Sequence, residues 1–190
     1  MRLVLATHNP HKRREFGVLL APYELVPLDA GVTLPPETGS TFAENALVKA
    51  RTAATAMAMT AIADDSGIEA AALGGAPGIY SARYAGPDAS DEENLAKLLR
   101  EAPAGSELTY VCVIALVDPT DGSEQLFAGR CTGRLAAHPR GTGGFGYDPA
   151  FLPDDGPPDR TMAELSVDEK DAISHRGRAA RLLLAELRTR

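Results

Sequence analysis

Residues 108–117 read Leu-Thr-Tyr-Val-Cys-Val-Ile-Ala-Leu-Val, apolar at almost every position rather than at every second one. Strict alternation would mark a strand with one wet face; a run like this marks a central strand covered on both sides. Such a strand calls for layers, with further strands beside it and helices over each face. The chain has 190 residues, enough for one well-buried core and too few for two comfortable ones. The expectation is a single mixed α/β domain spanning residues 1–190.

The other elements follow from local signals. Residues 3–6 and 23–28 are short strand-like runs, and residues 12–20 carry Phe16, Leu19 and Leu20 at helical spacing. Thr41-Phe42-Ala43-Glu44 opens a helix to about Ala58 as a capping box. Phe42, Ala46, Ala50 and Ala53 make a narrow apolar stripe on that helix, able to lie close on a sheet. Asn45 and Lys49 share another of its faces, and a lysine there ordinarily looks to solvent. Residues 124–132 return beside the central strand through Asp118-Pro119-Thr120-Asp121-Gly122. Ser90 with Glu93, Thr161 with Glu164 and Ser166 with Glu169 are further caps. Ala180, Leu183, Leu184 and Leu187 line one face of a terminal helix.

Chemistry concentrates in a few stretches. Ala61-Ile62-Ala63 reads as a strand ending at Asp64-Asp65-Ser66-Gly67, which brings two acids to the edge of the core. Neighbouring strand residues face opposite ways, so one acid can hold a metal while the other meets a water, a lysine or a second coordination position. A polar turn is the alternative, because Asp-Ser-Gly is good turn material. Thr7-His8-Asn9-Pro10-His11-Lys12 lies in a strand-to-helix turn, where free N–H groups can meet a phosphate, or where Asn9 and Pro10 simply start the helix. Two glycine-rich loops, residues 73–84 and 138–149, interleave glycine with Tyr80, Tyr84, Phe145 and Tyr147, as a platform for a planar ligand or as plain turns. His175 and Arg176 fall at the start of the last helix, where cations oppose the macrodipole; that placement favours an anionic or carbonyl-bearing ligand.

Net charge is −7, with no continuous basic stripe, which argues against nucleic acid as partner. No stretch approaches the roughly eighteen apolar residues of a membrane span. Cys112 and Cys131 sit in strand-like runs outside any paired-cysteine motif and read as small buried apolar residues, which points to the cytoplasm.

Taken in order, these blocks resemble one family along nearly the whole chain: the pyrophosphatases of non-standard purine nucleoside triphosphates, the inosine/xanthosine triphosphate family. Thr7-His8-Asn9-Pro10-His11-Lys12 meets its opening Ser/Thr-x-Asn-x-x-Lys motif, with His8 where many relatives carry glycine. Glu37-Thr38-Gly39, Thr41 to Ala46 and Lys49-Ala50 match a second block. Ala63 to Gly67 with Gly74 to Arg83, then Gly141 to Pro149, then Ala172 to Gly177 match the rest.

The resemblance implies an elongated mixed central sheet flanked by helices, with two lobes around an active-site cleft. It implies a Mg²⁺-dependent homodimer that hydrolyses ITP, dITP and XTP at the α–β phosphoanhydride. The products would be the monophosphate and pyrophosphate, which cleanses the nucleotide pool of deaminated purines. It implies Asp65, Lys12, Lys49 and Glu37 as catalytic residues and Asp65, Glu37 and Asp64 as metal ligands. Substrate contacts carried over are Thr7, His8, Asn9, Pro10, His11, Lys12, Ser66, Phe145, Gly146, Tyr147, Asp148, Lys170, His175 and Arg176. Phe145 would stack on the purine, Asp148 would accept from a ring N–H, and Lys170, His175 and Arg176 would donate to oxo groups. Adenine, with an amino group in place of the 6-oxo, would then leave donor facing donor. A sister enzyme for other modified nucleotides, or a sensor that binds without turnover, are the rival readings; no Nudix-type helix is present.

Overall fold

Short apolar runs divided by Gly, Pro and Asp set the order of elements in the computed structural model, which describes residues 1–189. β1 (Arg2–Leu5), α1 (Pro10–Leu19), β2 (Glu24–Pro27), α2 (Phe42–Met57) and β3 (Ala61–Ala70) come first. α3 (Asp91–Glu101), β4 (Glu107–Val117), β5 (Glu124–Leu135), β6 (Phe151–Pro153), α4 (Val167–Ile173) and α5 (His175–Leu187) follow. Among the described residues the strands form one six-stranded sheet, ordered β2-β1-β3-β4-β5-β6. β1 runs parallel to β2 and β3, whereas β5 and β6 are antiparallel. The sheet is therefore mixed and flanked by helices, as expected.

The chain groups into two compact units. The first holds residues 1–65, residues 112–128 and the segment from Ala179; the second holds residues 66–111 and 129–178. In the first unit, alternate strand residues feed two separate cores. Leu3, Leu5, Ile62, Ile114 and Leu116 pack with Phe16 of α1, with Leu20 just after it, and with Ala180 and Leu183 of α5. Val4, Ala61, Ala63, Ala115 and Val117 pack instead with Ala46, Ala50 and Ala53 of α2. The alanine stripe works as expected: without longer side chains, α2 lies close on the strands. In the second unit, Leu95 and Leu98 of α3 join Ile68, Leu108, Tyr110, Leu135, Tyr147 and Phe151 in a single core.

Two local expectations change, and one open alternative resolves toward turns. β3 does not stop at the two acids but continues through Asp64-Asp65-Ser66-Gly67 to Ala70. Turn propensity is overridden because each acid has a partner within its own unit. At the start of α2, Thr41 does cap the N–H of Glu44, but the Glu44 carboxylate accepts from the N–H and hydroxyl of Ser40. The first glycine-rich loop forms two 3-10 turns, Ala71–Leu73 and Gly78–Arg83. Its aromatics are engaged at the surface, Tyr80 under the Arg83 guanidinium and Tyr84 under the Lys97 ammonium.

Both cysteines are buried and unpaired in disulfides. Burial pushes the Cys131 thiol up to about 11, so thiolate is scarce at neutral pH, and Cys112 is fully enclosed. The native protein is expected to leave both thiols unreacted toward a disulfide reagent at pH 8, with both appearing on unfolding. Rapid native reaction would contradict this packing.

Candidate active site

β3 supplies two acids whose side chains leave the strand on opposite sides. Asp64, on the side of Ile62, receives Nζ of Lys12 at 2.9 Å, and the Cys112 thiol lies 3.9 Å from the same oxygen, Oδ2. Lys12 sits in the first turns of α1, whose start is fixed by Asn9. The Asn9 side-chain oxygen accepts from the N–H groups of His11 and Lys12, and Thr7 Oγ1 accepts from the Asn9 N–H. The polar turn thus does start the helix, and in doing so it aims Lys12 at Asp64. Pro10 is the first residue of α1, His8 is exposed, and His11 contacts Arg14.

Asp65 faces α2. Asn45 Nδ2 donates to its Oδ2 at 2.9 Å, and Lys49 Nζ lies 4.0 Å from its Oδ1. Lys49 also forms a close ion pair with Glu37. The expectation that Lys49 looks to solvent therefore fails: it is 7% exposed, and Asn45 is fully enclosed. Asn45 ties the site together, because its Oδ1 accepts from the N–H of Gly39 while its other end holds Asp65. A side chain at position 39 would strike Asn45 and Glu44, so glycine lets the Glu37 loop close down on α2.

The electrostatics follow from burial. Desolvation pushes the Asp65 carboxyl above its ordinary range, and Glu37 adds to the push, while Lys49, Asn45 and Lys12 pull it back. Burial pulls the Lys49 ammonium down, but Asp64, Glu37 and Asp65 more than offset that and leave it raised. A carboxylate raised by burial and pulled back by nearby charge is the kind of perturbed group that clusters at functional sites. Among the described residues no three of His, Cys, Asp and Glu gather into a metal-binding group. Glu37 and Asp65 do turn toward one shared cation. Two carboxylates suit Mg²⁺, which usually completes its shell with waters and substrate phosphates rather than a protein cage.

In the second unit, another carboxylate is held by three donors. Asp148 accepts from the Tyr110 hydroxyl at 3.1 Å, from Lys170 Nζ at 2.8 Å and from the Phe145 N–H at 2.9 Å. Gly144, at φ +71°, lets the loop fold over that carboxylate, since a Cβ there would overlap it. The Phe145 ring is flanked by Lys170 Nζ at 5.3 Å and the Arg176 guanidinium at 5.6 Å. Arg176 also donates to the Ser66 hydroxyl at 2.9 Å, and the His175 ring stacks on Tyr110. Gly146 N–H donates to Asp91, which steadies the loop, and the Tyr147 hydroxyl donates to the Ser81 carbonyl from within the core. His175 and Arg176 are placed by the break between α4 and α5. Gly177 allows it, because a side chain there would overlap the Asp171 carbonyl.

A sequence profile of the Ham1 family matches residues 3–186. The chain belongs to the Ham1 family. It is 51% identical to the dITP/XTP pyrophosphatase of Symbiobacterium thermophilum, over 98% of this chain and 94% of that one. It is 47% identical to the dITP/XTP pyrophosphatase of Escherichia coli K12, over 98% of each. The solved structure of a HAM1 protein from Coxiella burnetii superposes with a TM-score of 0.90, at 40% identity and full coverage of both chains.

Ham1 membership agrees with the blocks read from the sequence, and the structure sorts their residues into two groups. Thr7, Asn9, Lys12, Glu37, Lys49, Asp64 and Asp65 belong to the first unit; Ser66, Phe145, Gly146, Tyr147, Asp148, Lys170, His175 and Arg176 belong to the second. The chain leaves one unit for the other at the Asp65–Ser66 bond. Sequence reasoning missed Cys112, Tyr110 and Asp91 as supports for these groups. Nothing local marks them, since each contacts its acid or loop only through the fold. Asn45 had a signal in its four-residue spacing to Lys49.

Removing the Lys49 ammonium leaves buried carboxylates without their cation. Lys49→Met is expected to lower stability by about 2 kcal/mol or more. The double variant Lys49→Met/Asp65→Asn should recover part of that loss in denaturant titrations. Strict additivity of the two single effects would contradict the coupling.

Proposed function

We propose that this chain is a Mg²⁺-dependent pyrophosphatase that hydrolyses ITP, dITP and XTP to the nucleoside monophosphate and pyrophosphate. The observation that carries the reading is the group of Asp65, Asp64 and Lys49, all buried, with Glu37 and Lys12 half-buried beside them. Binding a nucleotide does not require three acids interleaved with two lysines, whereas phosphoryl chemistry uses both. Family membership and the activity named for its relatives support the same reaction.

Lys12 and Lys49 meet the triphosphate and neutralise charge as it shifts during bond breaking. Thr7, Asn9 and the α1 turn, with His8, Pro10 and His11, shape the bed in which phosphate oxygens lie. Asp65 takes the proton of the attacking water, a role suited to a carboxyl raised by burial yet kept close to ionisation by Lys49 and Asn45. Glu37 and Asp65 are the residues that would hold Mg²⁺, whose charge would further neutralise the phosphate oxygens. Asp64, turned toward Lys12, steadies that lysine.

The base falls to the second unit. Phe145 offers a stacking face, Asp148 accepts from N1–H, and Lys170, His175, Arg176 and Ser66 supply donors for oxo groups. The whole chain, 1–190, is then one catalytic domain, working as a homodimer in the cytoplasm. No described helix is long and apolar enough to cross a membrane.

The test is Mg²⁺-dependent pyrophosphate release from ITP, XTP, GTP, ATP and dTTP, each run beside Asp65→Asn. Turnover of ITP and XTP is expected at about 100-fold or more above GTP and ATP, and to fall by about 100-fold or more in the variant. Release of orthophosphate would overturn the assigned bond. Undiminished turnover by the variant would overturn the role of Asp65.

A further inference from the structure

Tyr110 lies in β4, where the sequence pattern marks nothing but a buried strand. Its side chain is 6% exposed, with its ring 4.7 Å from Phe151 and tilted by 48° against it. On another side, the same ring stacks on the His175 imidazole, with centroids 4.5 Å apart and planes only 5° from parallel. Its hydroxyl donates to Oδ1 of Asp148 at 3.1 Å. One core-anchored side chain thus touches two groups that the proposed function assigns to the base. We propose that Tyr110 is the positioning residue for base selection, fixing the Asp148 carboxylate and the His175 ring plane through two different parts of one rigid side chain. This rests on the assignment of Asp148 and His175 as base contacts.

The selectivity follows from counting acceptors. An ionised carboxylate donates nothing and offers about four lone-pair positions. Among the described residues, Tyr110, Lys170 and the Phe145 N–H take three, leaving one for a ligand. A 6-oxopurine presents N1–H to that position, and adenine presents a lone pair, so the same oxygen that binds one repels the other. Discrimination is only as sharp as the carboxylate is fixed. Lys170 is a flexible four-carbon tether and the Phe145 N–H belongs to a loop, whereas Tyr110 is wedged in the core between Phe151 and His175. Burial and the neighbouring Asp148 push the Tyr110 phenol far above its ordinary value, so it stays a donor at any working pH. The direction of the hydrogen bond is therefore set: the phenol gives and the carboxylate receives.

Tyr110→Phe keeps the ring and its stack on His175 and removes only the donor. The experiment compares kcat/KM for ITP and ATP in the native chain, Tyr110→Phe, Tyr110→Leu and Asp148→Asn, below the melting temperature of each. The ITP-to-ATP ratio is expected to fall about tenfold in Tyr110→Phe, mainly through a higher KM for ITP with kcat nearly kept. It should fall further in Tyr110→Leu, which also loses the stack. A purely structural tyrosine would lower the melting temperature, or both rates together, and leave the ratio unmoved. That result, with the ratio lowered in Asp148→Asn, would overturn the positioning role alone. An unmoved ratio in Asp148→Asn would instead overturn the base-contact assignment on which it rests.

Discussion

Lys49 is an ammonium enclosed in the first unit, and the burial of that single charge constrains much of what surrounds it. A charge out of water must be answered by opposite charge and hydrogen bonds, or it is lost as a proton. Here the answer is Glu37 on a loop and Asp65 on β3, with Asn45 bridging loop and strand. Each partner depends on a small residue elsewhere. The alanines of α2 let the helix lie close enough for Asn45 and Lys49 to reach β3, and Gly39 lets the loop descend. Asp65 is left raised by burial and checked by its neighbours, as the proposed proton acceptor requires.

The same construction recurs in the second unit with different purpose. Asp148, like Asp65, is an enclosed carboxylate held by one lysine and one neutral side-chain donor, Lys170 and Tyr110 in place of Lys49 and Asn45. Around Asp65 stand further charges, which suits phosphate and metal. Around Asp148 stand aromatic rings, Phe145 and the stacked pair of Tyr110 and His175, which suits a planar base. In the proposed function the neighbours of each acid, rather than the acid itself, set the chemical class of its ligand.

Much of this was legible in the sequence. The doubly apolar run of β4, the alanine stripe of α2 and the Ser90 and Ser166 caps each rest on a local rule, and each appears as expected. Where local rules failed, a tertiary partner had overruled them. Asp64-Asp65-Ser66-Gly67 has the composition of a turn, yet it remains strand because Lys12, Lys49 and Asn45 satisfy its acids. Lys49 has the spacing of a solvated helix face, yet it is enclosed because two acids approach from other elements. Tyr110 and Cys112 could not be singled out at all, since both are ordinary apolar-strand residues until the fold sets Asp148 and Asp64 beside them.

The proposed function divides the labour: acids and lysines of the first unit would handle phosphates, and the Asp148 group of the second would read the base independently. Calorimetric titration of the Asp65→Asn protein with ITP and with ATP tests this most directly, because the proposed base site is untouched while turnover is removed. The account predicts that ITP still binds about tenfold or more tightly than ATP, a difference of roughly 1.4 kcal/mol. Equal affinity for the two nucleotides would contradict it, placing base selection in the phosphate-handling group after all.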